Sequence, residues 1–287
     1  MTELPRASFN ERAPARAAVA EGDGIAVPLR AGAERAGDHV FWWRLASIAI
    51  VCGAWEIAGR IPINYAFPSF FETALAFGRM IADGSLPKAY VSTLQPLLLG
   101  IAISAGLGIG LGILMGLRRT AEWFGAPVFI VLQSAPVAAL IPLITFVYGI
   151  GLTSKTLAVI ALALPVIVLN SYKAVRNVNP SLVAMARSFL ASRWQQILRI
   201  ILPDASPLIF AGLRLGIAAG FIGVVLAELL ITPTGIGDLI TYHRSVADYA
   251  EMYAVIVSII LFSAVTLSVL QKLEIVLFRP EQREAGA

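Results

Sequence analysis

From Leu94 to Leu117 the sequence runs 24 residues without a charged side chain. A helix needs about 20 mostly apolar residues to cross a bilayer, so this run constrains the fold more than any other feature. It is apolar on both parities, as is Ser206 to Ile231, whereas a membrane β-barrel alternates over segments of about ten residues. Similar runs recur between short polar breaks and predict six spanning helices, at about 43–61, 94–117, 127–150, 155–173, 205–231 and 252–277. Charged residues make up 14% of the chain, against roughly 25% in soluble domains. The expected class is an all-α integral membrane protein. Residues 41–278 form its membrane domain, between a flexible N-terminal tail, 1–40, and a short C-terminal tail, 279–287. No apolar core follows the start closely enough for a cleavable signal peptide.

An even number of spans puts both termini on one side, and basic residues mark the cytoplasmic side. Sixteen Lys and Arg fall on the side of the termini. Five (Arg60, Arg79, Lys88, Lys155 and Arg244) fall on the other, and Arg214 lies within a span, which accounts for all 22. Both tails are therefore expected in the cytoplasm. The basic excess is read as topology rather than as a nucleic-acid surface, because it does not cluster on a soluble domain. Residues 68–94 are expected as an outer surface helix broken at Asp83-Gly84-Ser85.

Between the fourth and fifth spans lies VAMARSFLASRWQQILRIILP, residues 183–203. On helical spacing Val183, Ala186, Leu190, Trp194, Ile197 and Ile201 share one face, with Ser188, Ser192, Gln195 and Arg199 opposite. Asn179-Pro180-Ser181 is a helix start, and Leu202-Pro203 forces a break. The pattern alone fits an amphipathic helix resting on lipid headgroups as well as one that packs on a partner.

This segment, continued through DASP, resembles the cytoplasmic "EAA" loop of the permeases of binding-protein-dependent ABC importers. Ala184, Met185 and Ala186 fall on the E-A-A positions and Leu202-Pro203 on the closing Leu-Pro. Ala184 replaces the acidic residue, and Leu190 stands where the family has Gly. The resemblance continues in AFPSFFETALAF, in the Gly-rich STLQPLLLGIAISAGLGIGLGILMG, in PVFIVLQSAPVAALIPLITFVYGIG with Pro136 and Pro142, and in GLRLGIAAGFIGVVLAELL followed by GIGDLI. It covers about residues 65–278 and is nearest the nitrate, sulfonate and taurine branch.

The resemblance implies a type I importer fold in the bacterial cytoplasmic (inner) membrane. It implies a homodimer, with two copies of a separate ABC ATPase and an extracytoplasmic substrate-binding protein as partners. ATP and Mg would be held by the ATPase and not by this chain, which would catalyse no covalent chemistry. The coupling helix that docks on the ATPase would carry Ala184, Met185, Ala186, Arg187, Leu190, Ala191, Trp194, Leu202 and Pro203. With Gly replaced by Leu190, a helix continuous through that position is expected. The solute would be small, an organic or inorganic anion of the branch's type.

Several other residues bear on chemistry. Pro136, Pro142 and Pro165 are expected to interrupt spans, and Gln133, Ser134 and Asn170 with the first two make a weakly polar pathway lining. Glu228, near the outer end of its span, matches a family Glu and is expected at a gate. Arg214 is expected to snorkel to the interface, and Glu56 has no assigned role. GIGLTSKT, residues 149–156, falls short of a phosphate loop, because Ser154 replaces the second Gly and no strand precedes it. It reads as a turn with Lys155 at the outer interface, where removing that lysine should leave uptake unchanged. The single Cys52 is a small buried hydrophobe. His39 and His243 are remote from one another, so neither a metal cluster nor a hydrolase arrangement is expected. An ion-driven secondary transporter would want paired carboxylates or a relay within the membrane, and a scaffold would use the central helix for docking alone.

Overall fold

The computed structural model describes residues 33–61, 66–231 and 233–278, with side chains between Trp42 and Val276. The chain divides into two compact units, Met1–Val51 and Cys52–Ala287. The first contributes the opening of helix α1 (Ala33–Arg60), which starts inside the segment read as a tail. The tail residues 1–32 and 279–287 lie outside the described residues.

The second unit holds the end of α1 and then α2 (Phe70–Ala82), α3 (Ser85–Leu117), α4 (Arg119–Ser134), α5 (Val137–Tyr148) and α6 (Leu152–Arg176). Next come α7 (Pro180–Ser188), α8 (Arg193–Gln196), a π-helical turn (Ile197–Ile201), α9 (Leu202–Leu230), α10 (Ile236–Ser245) and α11 (Tyr249–Phe278).

Among the described residues four helical stretches are long and apolar enough to cross a membrane: Ser85–Leu117, Leu152–Arg176, Arg193–Leu230 and Tyr249–Val276. A fifth is the pair α4 and α5, bent by 95°. Four or five candidate spans are thus evident among the described residues, where the sequence predicts six. The stretch expected at 43–61 is helical but carries Arg44, Glu56 and Arg60. The stretch expected at 127–150 breaks at Ala135-Pro136, where Ala135 is extended (φ −65°, ψ 139°). A proline disfavours the helical basin for the residue before it and donates no N–H of its own. Pro142 and Pro165, by contrast, interrupt nothing, because α5 and α6 run through them.

The break at Asp83-Gly84-Ser85 is present, with Gly84 at φ 78°. Ahead of it, α2 starts with a reciprocal cap: the Ser69 hydroxyl accepts the Glu72 N–H and the Glu72 carboxylate accepts the Ser69 N–H. The π turn also has a local cause. Pro203 cannot donate to the carbonyl four residues back, and the Leu202 N–H reaches Ile197, five residues back.

Helix α6 is the centre of the bundle, packed by α3 on one flank and α9 on the other. Both neighbours offer small residues. Gly100, Gly108, Gly112 and Gly116 of α3 meet Val159, Ile167, Ser171 and Val175, while Gly212 of α9 lies on Asn170 and Gly223 on the Ala158 carbonyl. Apolar lipid gives no hydrophobic push between helices, so close backbone approach and van der Waals contact must hold them.

A methyl group at Gly112 would stand 2.5 Å from the Ser171 Cβ, whereas Gly106 faces open space. Gly112→Leu should therefore cost about 1–3 kcal/mol through overpacking and Gly106→Leu nothing comparable. Size-exclusion chromatography of the detergent-solubilised protein after graded heating reads the difference.

Candidate functional site: an exposed elbow and a buried ion pair

The connection from α6 to α9 is built from capped pieces. Pro180 occupies the first turn of α7, and the Asn179 side chain accepts the Ser181 N–H at 2.9 Å. Helix α7 ends at Phe189, and Leu190 takes the left-handed conformation with φ 56°. The Ala191 N–H donates to Ala186 (3.0 Å) and the Leu190 N–H to Arg187 (2.9 Å). This is the Schellman pattern, which satisfies the carbonyls at a helix end and usually places Gly where Leu190 stands. Two residues later α8 opens with its own reciprocal cap between Ser192 and Gln195.

The expectation of a helix continuous through Leu190 is therefore corrected: the segment is helix, turn, helix. Leaving the glycine out of the sequence does not abolish the turn, because the two caps and the Gln196 side chain bonded to the Ala191 carbonyl (2.8 Å) outweigh the strain. That strain is about 1–2 kcal/mol for a residue with a Cβ.

The turn also splits the expected apolar face. Ala186 is buried, and Val183 and Ile201 pack with Ala174, Val175, Val178 and Ala205 on the bundle. Phe189, Leu190 and Trp194 point outward, 80%, 92% and 71% exposed. Of the other residues assigned to docking, Ala184, Met185 and Arg187 are exposed on α7 and Ala191 is half-buried in the turn. Leu202, half-buried, and Pro203, exposed, begin α9. Three large apolar side chains held at one rigid tip make a patch that soluble surfaces seldom leave uncovered.

At the far end of the same two helices sits a buried ion pair. Lys155 Nζ lies 2.8 Å from Glu228 Oε1, and their side chains are 5% and 0% exposed. The ammonium also donates to the Thr234 carbonyl (2.8 Å) and hydroxyl (3.0 Å). Glu228 bonds the Thr93 hydroxyl at 2.9 Å and accepts the Gly237 N–H at 3.1 Å, while Thr93 Oγ1 accepts the Ile236 N–H. A side chain at Gly235, whose φ is 101°, would run into the Glu228 carboxylate. The Gly235-Ile236-Gly237 start of α10 can therefore wrap the acid closely, with the Gly237 N–H and the helix dipole facing the negative charge.

Lys155 is thus a core residue rather than an interface one. It sits 73 positions from its partner, so inspection of GIGLTSKT alone could not reveal the pairing. The same bond argues against nucleotide binding, since the amine that a phosphate loop would offer is held by Glu228 and Thr234. A second intramembrane pair joins Arg214 to Glu274 at 3.2 Å, so Arg214 is anchored to α11 rather than snorkelling. Glu56 accepts the Phe71 N–H and the Arg60 guanidinium, tying α1 to the start of α2.

The pathway candidates are dispersed. Gln133, Ser134 and Pro136 are exposed at the α4–α5 break, Pro142 is exposed on α5, and Asn170 donates to the Val166 carbonyl of its own helix. Glu228 is consumed by the ion pair. Among the described residues no three His, Cys, Asp or Glu gather to hold a metal, and Cys52 is half-buried.

Apolar helices joined by small residues, with an apolar elbow exposed between α6 and α9, are the build of a membrane-embedded protein. Residues 108–275 match the family model for the binding-protein-dependent transport system inner membrane component, and the chain belongs to that family. It is the permease subunit of an ABC importer, whose ATPase is a separate chain.

Its relatives include the Bacillus subtilis SsuC, assigned to aliphatic sulfonates transport, which is 30% identical over 76% of this chain and 78% of its own. The Chloroflexus aurantiacus riboflavin transport permease RibX is 30% identical over 69% and 74%. The Escherichia coli taurine transport permease TauC is 28% identical over 69% and 74%. The fold resembles the inward-facing MetNI methionine ABC transporter, with TM-score 0.53 and 18% identity over 66% of this chain and 92% of that one.

Two outcomes follow from the geometry. Lys155→Ala should leave a buried carboxylate uncompensated and destabilise the protein by about 3–5 kcal/mol, with Lys155→Met/Glu228→Leu recovering much of the loss in a double-mutant cycle of thermal midpoints. Leu190→Gly should relieve the left-handed strain and stabilise by about 1 kcal/mol, seen as a raised midpoint in the same assay.

Proposed function

We propose that this permease forms one half of a homodimer that passes a small organic anion of the sulfonate type across the inner membrane, and that the α7–α8 elbow is its coupling helix. The observation that carries the coupling assignment is the rigid exposed tip of Phe189, Leu190 and Trp194. An apolar tip with capped ends suits insertion into a cleft of the ATPase, and the Arg187 charge beside it fixes orientation. In this reading α1 and the bent α4–α5 pair complete six spans, and both termini lie in the cytoplasm. Two ATPase copies bind ATP and Mg, and a binding protein brings solute to the opposite face.

The mechanics follow from continuity. Helix α8, the π turn and α9 form one helical stretch, Arg193–Leu230, of 38 residues. Rigid-body closure of the ATPases pulls the elbow and carries that stretch with it, and hydrolysis returns it. The sulfonate assignment rests on SsuC and TauC; the path residues Gln133, Ser134, Pro136, Pro142 and Asn170 offer weak polar contacts in keeping with selection by the binding protein.

Trp194→Asp and Leu190→Asp should insert into the membrane normally yet lose co-purification of the ATPase and ATP-driven uptake by at least tenfold. Retention of the ATPase by both would remove the coupling assignment, and solute movement driven by an ion gradient alone would favour a secondary transporter. Uptake of radiolabelled taurine against riboflavin in proteoliposomes, with the cognate ATPase and binding protein, tests the solute class.

A further inference from the structure

We infer that the groove where α3 meets the π turn is a binding site for an anionic phospholipid. Three arginines line it: Arg118 at the end of α3, Arg187 on α7 and Arg193 at the start of α8. The groove measures about 980 Å³ and has no acidic residue in its wall. Among the described residues none of the three guanidiniums pairs with a carboxylate, although Arg60, Arg79, Arg176 and Arg214 all do. The remaining wall is almost entirely apolar. Such a site asks for a ligand that is negatively charged at one end and greasy along the rest.

The placement favours lipid over a soluble anion or a protein. Arg118 directly follows the candidate span Ser85–Leu117, so its charge stands at the end of an apolar stretch, where headgroup phosphates would meet it. Leading away from Arg118 into the span, Leu114, Leu111 and Leu107 follow at spacings of four, three and four, which keeps them on one face of α3. They are 42%, 38% and 55% exposed. That track matches an acyl chain laid along the helix while its phosphate is held by the arginine fork, which binds phosphate oxygens bidentately. The site rests on the membrane setting of the helix ends, and its wall shares Arg187 and Trp194 with the elbow proposed for coupling.

The test uses the full chain purified in mild detergent and titrated with phosphatidylglycerol or phosphatidylcholine, with bound lipid counted by native mass spectrometry. Arg118→Gln/Arg193→Gln should retain at least tenfold less phosphatidylglycerol, and Lys88→Gln, exposed at the opposite end of α3, should retain as much as the unaltered chain. Leu111→Asp, which leaves the arginines in place, should weaken retention as well. Equal retention of phosphatidylcholine, displacement of the lipid by millimolar inorganic phosphate, or undiminished binding by the double variant would overturn the inference. So would a double variant that keeps its lipid and loses the ATPase, since the groove would then be a protein-docking face. Loss of the ATPase on Leu190→Asp, which lies outside the groove wall, with lipid binding intact separates the two proposals.

Discussion

The bond between Lys155 and Glu228 fixes where four helices meet. A buried ion pair adds little net stability, because each charge must leave water; its value is that it tolerates few other arrangements. Here the constraint is complete. Lys155 speaks for α6, Glu228 for α9, Thr93 for α3, and Thr234 with the N–H groups of Ile236 and Gly237 for α10. If α6 or α9 slid by one residue, an acid or an amine would be left alone in a dry interior, and a slip of α3 or α10 would strip the pair of its hydrogen bonds. The glycines at 235 and 237 belong to the same constraint, since a Cβ at either would collide with Glu228.

Seen along the chain, α6 and the 38-residue stretch Arg193–Leu230 form an antiparallel hairpin, with the elbow at one end and the ion pair at the other. The long arm extends about 57 Å at 1.5 Å per residue, well beyond the roughly 30 Å hydrocarbon layer. Glycine contacts zip its two legs together between those ends. A hairpin closed at the far end and stitched along its length shifts as one body when its tip is moved. The tip is therefore connected to the ion-pair end of the bundle through continuous helix, with the π turn lying between them.

Much of this was legible in residues 94–231, where unbroken apolar runs leave helices as the only solution, and in Asn179-Pro180 and Leu202-Pro203, which bound the elbow. The rest was not, for identifiable reasons. Leucine is a poor left-handed residue, so Leu190 conceals the turn that Ala186, Arg187 and the Ser192 cap impose. Lys155 and Glu228 each look like an isolated interfacial charge until the fold joins them, and nothing in the sequence around Glu274 marks it as the partner of Arg214. Proline carries opposite meanings at Pro136 and Pro165. The first ends a helix whose side chains are largely exposed, and the second lies in the best-packed helix of the bundle, where neighbours hold the backbone straight.

The π turn at Ile197–Ile201 holds one residue more than an α-helical turn would. Because successive residues of an α-helix are about 100° apart, that extra residue sets the phase of everything on its N-terminal side relative to α9. The outward bearing of Trp194 therefore depends on the overfull backbone at this point as well as on the caps of the elbow. The compass bearing of the elbow is thus written in chain length rather than in side-chain chemistry, and a relative that lost a single residue here would turn a different sector of α8 outward while keeping every contact of α9.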